Sequence, residues 1–140
     1  MIVLDTNVVS ELMRGTPESS VITWLGRQRS AELFTTAVTL AEVRYGIARL
    51  PDGRRKNDLS QAADEVFGAF PEQVLPFDAA AAATYADVVT DRDRAGQPID
   101  GFDAQIAAIC RSRQATLATR NTKDFHQTGV ELVDPWLTNQ

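Results

Sequence analysis

Ile2-Val3-Leu4 is a short uncharged run rich in β-branched residues, and it stops at Asp5-Thr6-Asn7, which favour turns and helix caps. This pattern predicts a buried strand that delivers a carboxylate to its carboxyl end. Val8, Val9, Leu12 and Met13 then recur at helical spacing until Gly15. Thr16-Pro17-Glu18 opens a second helix, with Pro17 at its first position and Val21, Trp24 and Leu25 on its buried stripe. Residues 32–36 read as the second strand. Thr39 and Glu42 fit a capping box, and Leu40, Val43, Ile47 and Leu50 give that helix its apolar face.

After the Pro51-Asp52-Gly53 turn, residues 54–70 read as a helix with Leu59, Ala62, Ala63, Val66, Phe67 and Phe70 on one side. Gln73-Val74-Leu75-Pro76-Phe77 predicts a short strand, and Pro76 puts it at a sheet edge. Asp78 caps an alanine-rich helix that reaches about Arg94 and is broken by Gly96-Gln97-Pro98. Asp103 begins a further helix with Ile106, Ala107 and Cys110 facing inward. Residues 115–119 and 130–133 are the last strands, with a short helix between them.

Strands that alternate with helices define an α/β fold: a three-layer α/β/α sandwich around a mainly parallel sheet. The chain of 140 residues shows no internal repeat and no long linker, so residues 1–140 read as one domain. That length buries roughly two thirds of the unfolded surface without staples. The single cysteine, Cys110, has no internal partner and reads as a small core residue. No signal-peptide pattern precedes Asp5, and no run approaches the ~20 apolar residues of a membrane span, so a cytoplasmic protein is expected.

The net charge is −5, from 14 Lys and Arg against 19 Asp and Glu. Nucleic-acid binders ordinarily present a basic surface. The sign therefore means either another ligand, or acids gathered around a cation while local basic clusters handle phosphates. Arg54-Arg55-Lys56 forms one such cluster, and Arg111, Arg113, Arg120 and Lys123 form another.

Asp5 follows the first strand, Glu42 lies just after the second, Asp103 opens a helix, and Asn121 and Asp124 follow the fourth strand. Ligands of open α/β sheets bind beyond the carboxyl ends of the strands, so neighbouring strands would bring these groups to one edge. Each acid taken singly also fits an ordinary helix cap. Taken jointly, carboxylates about 6 Å apart repel by about 2–3 kcal/mol at an effective dielectric near 20, and a hard cation would offset that. Mg²⁺ and Mn²⁺ take such oxygen ligands, activate water and neutralise charge on a phosphoryl oxygen. His126 lies in a polar turn and reads as a surface residue.

Asp5-Thr6-Asn7 after an apolar strand, the stretch from Thr39-Leu40-Ala41-Glu42 to Gly46, Asp103-Ala104-Gln105-Ile106, and Thr119-Arg120-Asn121 followed by Asp124-Phe125 resemble the PIN-domain family. Within it the chain is similar to VapC-type toxins of toxin–antitoxin pairs, including the FitB branch. The resemblance runs from Met1 to about Trp136. It implies a five-stranded sheet of order 3-2-1-4-5, a homodimer, and Mg²⁺- or Mn²⁺-dependent endoribonuclease activity restrained by a cognate VapB-type antitoxin.

By motif position Asp5, Glu42 and Asp103 correspond to the family's core acids, with Asp5 and Asp103 as metal ligands. Many members carry Asp where this chain has Asn121, and Asp124, one turn later, is a substitute for the missing charge. Thr6 and Thr119 resemble hydroxyls that orient metal waters, and Arg120 resembles a phosphate contact. Two alternatives stand beside this one: a receiver-like phospho-acceptor module, and a catalytically degenerate PIN fold that binds RNA or protein without cutting.

Overall fold

The computed structural model describes residues 1–137. β1 (Ile2–Leu4) is the central strand of a five-stranded sheet of order β3-β2-β1-β4-β5, flanked by β2 (Leu33–Thr36) and β4 (Thr116–Ala118). β3 (Val74–Leu75) and β5 (Glu131–Val133) form the edges, so the strand that ends in Pro76 is indeed an edge strand. Every neighbouring pair is parallel, a stricter arrangement than the mainly parallel sheet expected. A receiver-type sheet has the order 2-1-3-4-5, with its first strand between the second and third. Here β1 lies between β2 and β4, and the receiver alternative falls on that topology.

Helices cover both faces: α1 (Thr6–Leu12), α2 (Ser19–Gly26), α3 (Ala37–Ala48), α4 (Arg54–Gly68), α5 (Ala79–Arg94) and α6 (Gly101–Ser112). Because side chains alternate along a strand, successive residues of β1 enter different cores. Val3 packs with Val88, Ile106, Ile109 and Leu117 beneath α5 and α6, while Leu4 packs with Val8, Val21, Val43 and Ala63 beneath α1 to α4. Each such side chain contributes about 1.5–3 kcal/mol by leaving water. Cys110 is fully buried in the first core, where burial pushes its thiol up, and His126 is exposed.

Several helix starts differ from the sequence expectation. Thr36, the extended last residue of β2, caps α3 by accepting from the Thr39 amide at 3.0 Å. Thr39 and Glu42 therefore form no capping box; Thr39 is buried in the first turn, and Glu42 projects from the second. Asp100 caps α6 by accepting from the Phe102 amide at 2.8 Å, which leaves Asp103 inside the first turn. α2 starts after Pro17, because the Glu18 amide donates to Glu11 Oε2 at 2.8 Å and holds Glu18 extended as the cap residue. A 3₁₀ turn, Thr122–Phe125, follows β4 with no side-chain cap from Asn121. Among the described residues no helix is long and apolar enough to cross a membrane.

Candidate active site

The carboxyl edge of the sheet opens into a cleft of about 570 Å³. Asp5, Thr6, Glu42, Asp103, Arg120 and Asn121 all line it, although they come from five separate elements and turns. Thr119 lies directly behind, fully buried. Asp124 stands in an adjoining hollow of about 320 Å³, shared with Asp100, Asp103 and Arg92.

Asp5 is held by both of the roles its position suggested. It caps α1 by accepting from the Thr6 amide at 2.8 Å. Its Oδ2 accepts from Thr119 Oγ1 at 2.8 Å and, at 3.4 Å, from Asn7 Nδ2. Only 4% of Asp5 is exposed, and burial raises its pKa although these donors favour the charged form. Asn7, part of the Asp5-Thr6-Asn7 motif but given no site role by it, also donates to Thr119 Oγ1 at 3.2 Å and accepts from the Arg120 amide at 3.1 Å. It thereby joins the turn after β1 to the turn after β4.

Glu42 is reached through a file of hydroxyls. Thr6 Oγ1 donates to Glu42 Oε1 at 2.9 Å, so it accepts from Thr39 Oγ1, 3.1 Å away. Thr39 in turn accepts from Thr36 Oγ1 at 3.4 Å. Burial raises the pKa of Glu42; the Thr6 bond lowers it, and the charges of Asp5 and Asp100 raise it further.

Asp103 is the most perturbed acid of the cleft. Burial, joined by the carboxylates of Asp5, Asp100, Asp124 and Glu42, pushes it up to about 7. Every charged group acting on it is negative. Asp100, the true cap of α6, carries no local signal that separates it from Asp103, which offers the same capping pattern three residues later.

Basic groups balance only the rim. Arg14 is bound to Glu11, a buried residue that sequence reading also missed, at 2.9 Å. Arg120 is exposed and lies over the Trp136 ring, 5.0 Å from its centroid. Arg111 and Arg113, grouped with Arg120 by sequence, instead pair with Asp91 and Asp78. Lys56 of the first basic cluster pairs with Asp52, while Arg54 and Arg55 border a hollow next to the cleft.

The oxygen-only donor set suits a hard cation rather than zinc or copper. Among the described residues no three His, Cys, Asp or Glu side chains form a ready-made ligand set. One or two carboxylates completed by water is the way Mg²⁺ is usually held, and Asp5 and Asp103 fit that requirement.

An acid-lined cleft at the carboxyl edge of an all-parallel 3-2-1-4-5 sheet defines a class of α/β protein, and sequence and structure comparisons name it. The model of the PIN domain family matches residues 2–131, and the chain belongs to that family. It is 38% identical over 137 residues to the VapC ribonuclease Y4jK of Sinorhizobium fredii, covering 97% of this chain and 98% of that protein. It is 36% identical to toxin FitB of Neisseria gonorrhoeae, covering 97% and 99%. The crystal structure of FitAcB from Neisseria gonorrhoeae superposes with a TM-score of 0.89 at 36% identity, covering 98% of this chain and 99% of that one.

Proposed function

We propose that the protein is a divalent-metal-dependent endoribonuclease, the toxin of a toxin–antitoxin pair, restrained by a cognate VapB-type antitoxin. The observation that carries this reading is the placement of Asp5, Glu42 and Asp103 in one cleft at the carboxyl edge of the sheet, where burial and the surrounding carboxylates push Asp103 up to about 7. Such an arrangement opposes folding unless a positive ligand is its purpose. The names ribonuclease and toxin borne by relatives at 38% and 36% identity support the same reading. The FitAcB complex, built on a chain of this fold, supports a protein partner of the antitoxin kind. Homodimer formation and a cytoplasmic site of action belong to the proposal through the family resemblance.

Asp5 and Asp103 would hold Mg²⁺ or Mn²⁺. When bound, the ion lowers the pKa of a water and offsets charge that builds on the phosphoryl oxygens. The chain's own groups do the positioning. Thr119 and Asn7 fix the Asp5 carboxylate, and the Thr36–Thr39–Thr6 file fixes Glu42, leaving its second oxygen to orient water in the cleft. Asn121 offers a neutral oxygen to the cleft, and Asp124 adds negative charge from the adjoining hollow.

Incubating total RNA with the purified protein in Mn²⁺ or in chelator tests this directly. Cleavage in Mn²⁺, absent in chelator and absent for Asp5→Asn, is the expected result. RNA that stays whole under every condition while still binding the protein would support the degenerate binding module instead. Equal cleavage by Asp5→Asn would contradict the assignment of the cleft.

A further inference from the structure

Arg120 and Trp136 form a stacked pair on one wall of the cleft, and neither is explained by the acids opposite them. We propose that this pair is a platform on which one nucleobase of the RNA strand stacks beside the bond that is cut. The proposal rests on the ribonuclease reading of the cleft and names how the strand is gripped there.

The first support is how Arg120 is disposed. Asp5, Glu42 and Asp103 line the same cleft, yet the guanidinium of Arg120 lies 5.0 Å from the indole centroid and makes no ion pair among the described residues. Arg14, the other guanidinium of the cleft, is bound to Glu11 at 2.9 Å and is thereby committed. Arg120 keeps its charge and its planar fork for a ligand.

The second support is the indole itself. Trp136 Nε1 is a buried polar atom with no hydrogen-bond partner among the described residues. A tryptophan that gains nothing from its N–H has lost the polar handle that sets it apart from phenylalanine. What remains distinctive is its ring face, the strongest aromatic partner for a guanidinium.

The third support is rigidity. The Arg120 amide donates to Asn7 Oδ1 at 3.1 Å, and the Trp136 amide donates to Asp134 Oδ1 at 2.9 Å. Arg120 is thus tied through Asn7 to the turn that carries Asp5, and Trp136 is held in its own turn and packs in part against the core, so little ordering is needed on binding. Unpaired RNA bases stack on tryptophan rings and on arginine planes alike, and such contacts tolerate any base because every base has a π-face.

The test measures binding without cleavage. The full chain carrying Asp5→Asn is titrated, in chelator, against a fluorescein-labelled single-stranded RNA oligomer and against the same oligomer with abasic positions, by fluorescence anisotropy. Arg120→Lys, which keeps the charge but not the plane, and Trp136→Ala should each weaken binding of the normal oligomer by about tenfold while leaving the abasic oligomer unchanged. Trp136→Phe keeps a ring and should retain most of the affinity; it stands in for Trp136→Ala if the alanine variant does not fold. Equal losses on both oligomers would reduce Arg120 to a phosphate contact and overturn the platform, as would no loss on either. Base-dependent binding in a wild-type chain that cuts no RNA would keep the platform and remove the nuclease reading.

Discussion

Thr119 donates its hydroxyl to Asp5 at 2.8 Å, joining residues 114 positions apart in the chain. The parallel register makes the contact inevitable: Leu4 pairs with Ala118, so the next residues of β1 and β4 leave the sheet side by side. Asp5 and Thr119 are those residues. Two short strands are enough to set a buried carboxylate against its donor.

Thr119→Val keeps the shape and removes the donor. The Asp5 carboxylate, 4% exposed, is then left with weaker partners, which costs about 1–3 kcal/mol in denaturant unfolding at neutral pH. Its pKa rises further, because the lost bond favoured the charged form. The pH profile of RNA cleavage should move to higher pH, whereas a purely structural Thr119 would lower stability and leave the profile in place.

Asp103 sets a pH dependence of stability whose sign follows from its environment. Its pKa rises from 3.8 to about 7 on folding. Between those values the folded protein holds a proton that the unfolded chain has released, so metal-free stability falls as pH rises through the window and is level above it. Asp103 is half-buried, and solvent screening limits its share to on the order of 1–2 kcal/mol. Melting in chelator from pH 4 to 8 should show this decline, and Asp103→Asn should remove most of it. Cleavage in Mn²⁺ should rise over the same window, since a protonated Asp103 offers no charge to a cation.

Arg92, 5% exposed, binds main chain rather than acid: Nε donates to the Gln97 carbonyl at 2.6 Å, and Nη1 to those of Asp124 and His126 at 2.7 and 2.9 Å. One buried guanidinium thus fixes the approach to α6 and the turn that carries Asp124. Arg92→Met should cost about 2–4 kcal/mol in urea unfolding, because three carbonyls lose a charged donor that is itself buried. Arg92→Lys should recover part of that, having one charge but no fork. Equal stability of Arg92→Met and wild type would show that these carbonyls are satisfied in other ways.

The strands and the apolar helix faces were legible in the sequence because each is a local pattern. Ile2-Val3-Leu4 and the run at 115–119 fall where the structure has β1 and β4. The sheet order came from the motif resemblance, since nothing in an apolar run says which strand lies beside it. Two errors share one cause. Thr39 and Asp103 were read as caps, but Thr36 and Asp100 supply those caps three residues earlier. A candidate cap one turn inside a helix looks the same on paper as a real one, and the difference is that Glu42 and Asp103 are free to face the cleft. Asn7, Glu11, Asp100 and Trp136 were missed because their roles are set by partners from other turns, or by charge across the cleft, which no local signal records.

The central claim is that the acids of the cleft are a cation site, and thermal melting of wild type and Asp103→Asn at pH 8, with and without Mn²⁺, tests it most directly. Without metal, Asp103→Asn should melt higher than wild type, because one of the repelling charges is gone. Millimolar Mn²⁺ should raise the wild-type midpoint by about 3–6 °C and the variant's by less than half as much. Equal shifts in the two proteins, or no shift in wild type, would contradict the claim.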